Sequence, residues 1–441
     1  MTPSPLRGRR LGVSAASSEE KPSVKAAQNP KRTVVQLHHL LHSNAGRRLA
    51  CAAFALALLS SASASVTWKE IQFGGFASQG FIQSDTNDYL GETSDGTFDF
   101  REFGVNASWS SGKWRIGAQV FGQRLGSFGH DTVKLDWASV DYQAAQWLGF
   151  RAGRVKMPRG LYNEALDLDS VRPFILLPQS IYDARLRDFN AAFDGGMLYG
   201  NISLKQFGSV DYRAFYGRKE IDTNSGANAY FNNDFAMLNG PIGLDAVYGG
   251  SVFWNTPLNG LRFGYSYSEF KNLEATRWFL DDTTMGPVWK RTSMFPRHLV
   301  SAEYTTGDWV FAAEATQEDA TYKTGFFDLP DWPISLIDAK HHSYYVSAAR
   351  RINARFELGT YYSYFKKTDQ LPPTFDYLRK QEDIAVSVRF DVNEHLILKA
   401  EIHRLKGNGQ VFEAPRDVFA EPPPRDDGAW TMFAVKATLS F

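Results

Sequence analysis

The segment Trp430–Phe441, WTMFAVKATLSF, alternates from Phe433 to its end. Phe433, Val435, Ala437, Leu439 and Phe441 fall on one side, and Ala434, Lys436, Thr438 and Ser440 on the other. A period of two marks a strand with one apolar and one mostly polar face, long enough here to cross a bilayer at the usual strand tilt. Lipid offers no hydrogen bonds, so a lipid-facing strand must have every backbone group paired, which in practice requires a closed barrel. The segment predicts one strand of such a barrel, and the remaining sequence must supply the others.

The N-terminal region predicts export. Leu49–Leu59 (LACAAFALALL) is an apolar run of 11 residues behind Arg47 and Arg48, followed by Ser-Ser-Ala-Ser-Ala. A basic flank, a short apolar core and a small-x-small tail describe a secretory signal peptide, cleaved between Ala64 and Ser65. The run is too short for a spanning helix, and nothing later approaches about 18 uninterrupted apolar residues. Cys51 lies inside the apolar core rather than behind it, which excludes a lipoprotein anchor. The domain reading is a leader over 1–64 and a barrel over 65–441. The polar stretch before Arg47 is long for a leader and points to an initiator near Val34 or Val35.

Cleavage after Ala64 leaves 377 residues, with 39 basic against 46 acidic side chains and a formal charge of −7. That balance argues against nucleic acid as a partner. The mature part has no cysteine, so neither disulfides nor thiol chemistry are available to it. Mean hydropathy is −0.33. A negative value is compatible with a membrane barrel, whose strands spend only every second residue on lipid.

Alternating stretches recur from about residue 70 to the end. In Lys113–Leu125, Trp114, Ile116, Ala118 and Val120 alternate with Arg115, Gly117 and Gln119. In Gly260–Lys271, Leu261, Phe263, Tyr265 and Tyr267 oppose Arg262, Gly264, Ser266 and Ser268. Asp308–Glu318, Asp383–Val392 and His395–Lys406 read the same way. Tight polar turns fall at Ser110–Gly112, Gln143–Gln146, Lys205–Ser209, Asn255–Asn259, Thr305–Gly307, Ile352–Ala354 and Asp391–Glu394. Longer segments lie between them: 84–96, 125–131, 156–188, 220–243, 272–296, 319–341, 367–380 and 407–428. Seven turns and eight loops join sixteen strands, about 24 residues per strand and connection, with short connections at one end and long ones at the other. Stretches 72–83, 132–142 and 191–204 are ambiguous in phase, which leaves fourteen or eighteen strands as alternatives. The fold class is all-β, a transmembrane antiparallel β-barrel of about sixteen strands.

Two resemblances bear on function. A final Phe with apolar residues at the third, fifth, seventh and ninth places from the end resembles the C-terminal signal of bacterial outer-membrane barrels. By that resemblance, Phe433, Val435, Leu439 and Phe441 are read by the barrel-assembly machinery. The strand count, the leader and the long third loop together resemble the bacterial general porins. Gly153–Asp188 (GRVKMPRGLYNEALDLDSVRPFILLPQSIYDARLRD) is similar to the strand-then-loop of one branch of that superfamily. The resemblance implies a homotrimer in the Gram-negative outer membrane, with loop 156–188 folded inward to narrow the channel.

Strand phase then assigns the interior, because a charge at the lipid midplane costs several kcal/mol and a lumen charge little. Arg115, Arg213, Arg262, Glu314, Arg389, Lys399, Glu401 and Lys436 are expected to line the pore. Glu164, Asp167 and Asp169 are expected on the inward loop, where basic wall and acidic loop would set a transverse field. Phe174-Ile-Leu-Leu177 reads as loop packed against wall. His341 and His342 are adjacent and lack a partner at ligand spacing, so no metal is assigned. No G-x-S-x-G, H-E-x-x-H or Walker pattern occurs. The expected function is a water-filled channel for passive diffusion of small hydrophilic solutes or ions, with no enzymatic activity and no cofactor. A substrate-specific channel is the alternative. A barrel enzyme implies a shorter chain, and an energised receptor about 22 strands with a plug domain.

Overall fold

The structure, a computed structural model, describes residues 66–68, 70–126, 128–221, 225–227, 236–238, 242–279, 288–326, 331, 333–368, 379–410 and 428–441. The expected leader, with Leu49–Leu59 and the Ala64–Ser65 cleavage site, lies outside them.

Sixteen long antiparallel strands, from Ile71–Ser84 to Ala429–Ser440, each pair with the next in sequence. The last strand then pairs with the first, from Met432↔Ser84 to Ser440↔Phe76, which closes the ring. Beyond that register Phe441 exchanges both backbone hydrogen bonds with Gly75, each 3.0 Å. A Cβ at Gly75 would lie 2.6 Å from the Phe441 ring, so glycine there gives the terminal aromatic its seat. The three-residue strands Val66–Trp68 and Ala236–Leu238 add to Ile71–Ser84 and Leu261–Phe279. Closure leaves no long strand with an unpaired edge among the described residues.

Alternation places the side chains as the sequence predicts. Val120, Val252, Val346, Ile384 and Phe433 are exposed on the outer face. Lys436 and Thr438, on the other phase of the last strand, are buried inside, while Leu439 on the outer phase is covered by neighbours. His341 and His342 lie within Ser335–Arg351 and point to opposite faces: His341 approaches Glu318 of the interior, and His342 is exposed.

All seven tight turns are present, each within about two residues of its expected span; the one expected at Gln143–Gln146 falls at 146–147, because Val133–Ala145 is strand. The three ambiguous stretches form Ile71–Ser84, Val133–Ala145 and Ala192–Ser203. Two expected loops need correction. Much of 272–296 and 319–341 is strand, because the ladder continues outward through pairs such as Glu274↔Arg291 and Thr321↔Asp338. Four consecutive strands, Leu261–Phe279, Val288–Thr306, Trp309–Phe326 and Ser335–Arg351, therefore reach 17 to 19 residues. Loop-like polarity misled here, since a strand standing outside the membrane has no lipid face and needs no apolar alternation. Pro296 sits in this extension, where pairing with Trp309–Phe326 breaks between Arg291 and Arg297. Proline has no N–H to give a ladder.

Candidate functional site

The third long connection, residues 157–191, turns into the barrel and seats on its inner wall. It carries three 3₁₀ turns and a four-residue helix, Arg187–Asn190, rather than strand. Phe174, Ile175, Leu176 and Leu177 are each at most 5% exposed and pack against separate parts of the wall. Ile175 and Leu176 join Trp430, Met432 and Leu405; Leu177 joins Leu299 and Tyr345; Phe174 meets Tyr361 edge-on at 5.0 Å. The loop's apolar run is thus an anchor.

Polar anchors alternate with these contacts. Glu401 accepts from the N–H groups of Ile175 (2.5 Å) and Leu176 (3.1 Å), and its other neighbour is His403 Nε2 at 3.2 Å. Lys399 donates to the carbonyls of Asp169 and Arg172 and lies 3.1 Å from the Asp169 carboxylate. Thr438 donates to the same carboxylate at 2.9 Å, and Lys436 stands 3.7 Å away. Glu314 accepts from Leu161 N–H and from the hydroxyls of Ser301, Tyr182 and Tyr345. Gly160, at φ +60°, passes so close to Glu314 that a Cβ would lie 2.6 Å from its oxygen. Only glycine meets both requirements.

On the near side Asp167 is held by Lys156 and Arg187, which also pair with Asp136. Arg187 lies over the Phe121 ring at 3.7 Å. Burial alone would raise the carboxyls of Asp167 and Asp169. The charges of Arg187 and Lys156 on the first, and of Lys436, Lys399 and Arg172 on the second, outweigh it and hold both well below the usual carboxylate range. Burial and the adjacent Arg297 lower the Arg159 guanidinium to about 10, against the pull of Glu318. Burial and the Glu314 carboxylate push the Tyr182 phenol well up.

The expected pore-lining set therefore divides. Glu314, Lys399, Glu401 and Lys436 are each at most 3% exposed and hold the loop or its immediate surroundings, so they do not line open lumen. The physical reason is that strand phase fixes inward direction but says nothing of what covers the inner face. Asp167 and Asp169 are corrected likewise: their charges are consumed in buried pairs rather than presented to a pore. Glu164 differs. It sits 3.4 Å from Arg213, with both side chains about a third exposed. Arg262 pairs with Glu303 at 2.9 Å and stays 37% exposed. Arg389 bonds Asp391 and reaches the Ser170 carbonyl at the loop's margin. Arg115 has no ion-pair partner among the described residues and borders a cavity of about 300 Å³ with Trp137, Arg151, Arg154 and Glu164. Trp137 crowds Gly117, whose Cβ would stand 3.0 Å from the indole. Arg151, Arg154, Trp137 and Arg187 escaped the sequence reading. The strand 133–145 carries a bulge at Asp136 that hides its phase, although the basic spacing in Arg151–Lys156 was visible.

No protein-family model matches the chain, and no curated protein matches it in sequence. Solved structures do match in fold. Salmonella typhi OmpF, in complex with daunomycin, is 13% identical with a TM-score of 0.53, over 86% of this chain and 100% of that one. The anion-selective porin from Comamonas acidovorans is 13% identical with a TM-score of 0.51, over 84% and 99%. In-vitro folded OmpT, an outer membrane protein of Vibrio cholerae, is 11% identical with a TM-score of 0.50, over 86% and 100%. At such identities the likeness is one of fold. The chain has a porin-like fold: a closed sixteen-strand antiparallel barrel whose third long loop turns inward.

Proposed function

We propose that this chain is an outer-membrane, porin-like channel through which small hydrophilic solutes or ions diffuse passively. One observation carries the reading: an apolar outer face and a charged inner face on the same closed barrel, narrowed by a seated loop. Such a wall is stable only with lipid outside and water or polar groups inside. The roles of the remaining sequence features follow as parts of the proposal. The leader is removed between Ala64 and Ser65, and Phe441 with Phe433, Val435 and Leu439 serves as the assembly signal. The working unit is a homotrimer, for which the outward Ala107, Ala118 and Ala138, direct neighbours across three strands, offer a flat contact. The lumen performs no catalysis. Solute choice rests with Arg115, Arg213, Arg262 and Glu164, the open members of the expected set, together with Arg151 and Arg154 beside the same cavity. The closeness of the loop's seat favours a narrow, selective channel over a wide one.

The test is single-channel recording of the refolded mature protein in planar bilayers, with a salt gradient to read ion preference. Discrete conductance steps that grow when part of 157–191 is deleted support the proposal. Absence of steps from both proteins, each with the heat-modifiable gel mobility of a folded barrel, would refute it.

A further inference from the structure

The outer wall carries a cationic belt that the channel reading does not use. On strands 335–351, 356–368, 380–391 and 396–406, the register aligns Val346, Tyr362, Ile384 and Arg404 in one outward row. The next row toward the long loops is Tyr344, Tyr364, Glu382 and Lys406, and the one beyond is His342, Lys366 and Lys380, with Lys340 above His342. Below lie lipid-facing Val386 and Ile402, and Ile384 and Ile402 are each 52% exposed. The belt therefore sits just past a band of tyrosines, where a barrel wall leaves hydrocarbon for the head-group layer. Barrel strands tilt, so register rows run oblique to the membrane plane and a belt at one depth steps from row to row between strands.

Lys340, Lys366, Lys380, Arg404 and Lys406 are all exposed, and none makes an ion pair among the described residues. Glu382 is the single carboxylate among them and accepts from the Tyr362 hydroxyl at 3.2 Å; Asp319 and Asp85 flank the edges. Lys366 and Lys380 are directly opposite each other across the ladder, an arrangement that repels unless an anion lies between them. Elsewhere on the same rim the fold does provide counter-charges. Arg101 and Arg124, also outward, each contact Asp99 and Asp131.

We propose that this belt binds the phosphate head groups of lipids in the leaflet at the long-loop end, their acyl chains lying over Ile384, Val386 and Ile402. The occupant must be amphiphilic, because the cations border an apolar wall and not a pocket. Lysine and arginine suit phosphate, arginine through two parallel hydrogen bonds. The assignment of that leaflet rests on the outer-membrane reading above.

Native mass spectrometry of the full folded protein in detergent micelles tests this, with added lipid A bearing two phosphates, its dephosphorylated form, or phosphatidylcholine. The wild type is expected to retain the bisphosphorylated lipid at least tenfold better than the other two. Inorganic phosphate at millimolar concentration should not displace it. The variant K366Q/K380Q/R404Q/K406Q should lose that preference, while K113Q/K205Q, at the short-turn end, should keep it. If the quadruple variant fails to fold, K366Q/K380Q serves in its place with a several-fold loss expected. Equal retention of all three lipids by the wild type, or an undiminished preference in the belt variant, overturns the proposal; displacement by inorganic phosphate would assign the belt to free anions and overturn it too. Binding is read in micelles, independent of conductance, so failure of the channel reading leaves this result intact.

Discussion

Lys399 and Arg115 occupy equivalent positions, each a cation one residue from an outward apolar side chain on a barrel strand. Lys399 is 3% exposed, wrapped by the carbonyls of Asp169 and Arg172; Arg115 is open to the lumen cavity. The same contrast separates Glu401 from Glu164. Charges beneath the loop act as its fastenings, whereas Arg115 beyond its margin and Glu164 on its flank stay open to the interior. Removing one partner of a buried pair costs about 3–5 kcal/mol, whereas an exposed pair contributes about 0–1 kcal/mol. The two groups should therefore respond in different observables.

The largest effect is expected for Glu401→Leu. It leaves the N–H groups of Ile175 and Leu176 without an acceptor and His403 short of one counter-charge. We expect a loss of about 3–5 kcal/mol in urea unfolding from vesicles, with larger and noisier conductance steps as the loop detaches. Stability within error of wild type would show that the loop does not depend on this wall. Lys399→Met should cost a comparable amount, and pairing it with Asp169→Asn should cost less than the two single changes combined.

Acid gives an intermediate test. The carboxyls of Asp167 and Asp169 are depressed in the folded state, so their stabilisation is complete above the unfolded carboxylate value of about 3.9 and fades as pH falls below it. The contribution of these pairs, read as the difference in unfolding midpoint between wild type and Asp167→Asn/Asp169→Asn, should stay level from pH 7 to about 4 and shrink only below that. A difference that already shrinks near pH 6 would contradict the arrangement of these pairs.

The smallest effects on stability, and the clearest on selectivity, belong to the open charges. Arg115→Gln should move the reversal potential in a salt gradient toward cation preference, and Glu164→Gln toward anion preference. Each should alter stability by no more than about 0.5 kcal/mol. If Asp167→Asn shifted the reversal potential as much as Glu164→Gln without loss of stability, the division between fastenings and solute-facing charges would collapse.

Alternation and the parity of connection lengths made the barrel and its strand number legible, because both follow from local chemistry repeated many times; the inward course of the third loop came only from the resemblance to porins. The loop's seat was not legible. Ile175 and Glu401 are 226 positions apart, and nothing local to either announces the other. Inward phase was read correctly for Glu314, Lys399, Glu401 and Lys436, yet their burial depended on a covering segment whose path only the folded chain reveals. The extended hairpins at 272–296 and 319–341 escaped for a different reason: paired backbone suffices to hold a strand outside lipid, whatever its side chains.

The seated loop also changes what determines the barrel's cross-section. A ring of ladders alone is easily flattened, since neighbouring strands hinge about their hydrogen bonds. Residues 157–191 tie Asp136 and Phe121 on one side to Glu314, Tyr361, Glu401 and Thr438 around the rest of the circumference. They act as internal spokes. The width of the interior is then set by a brace anchored at several points around the ring, and not by the backbone ladder alone.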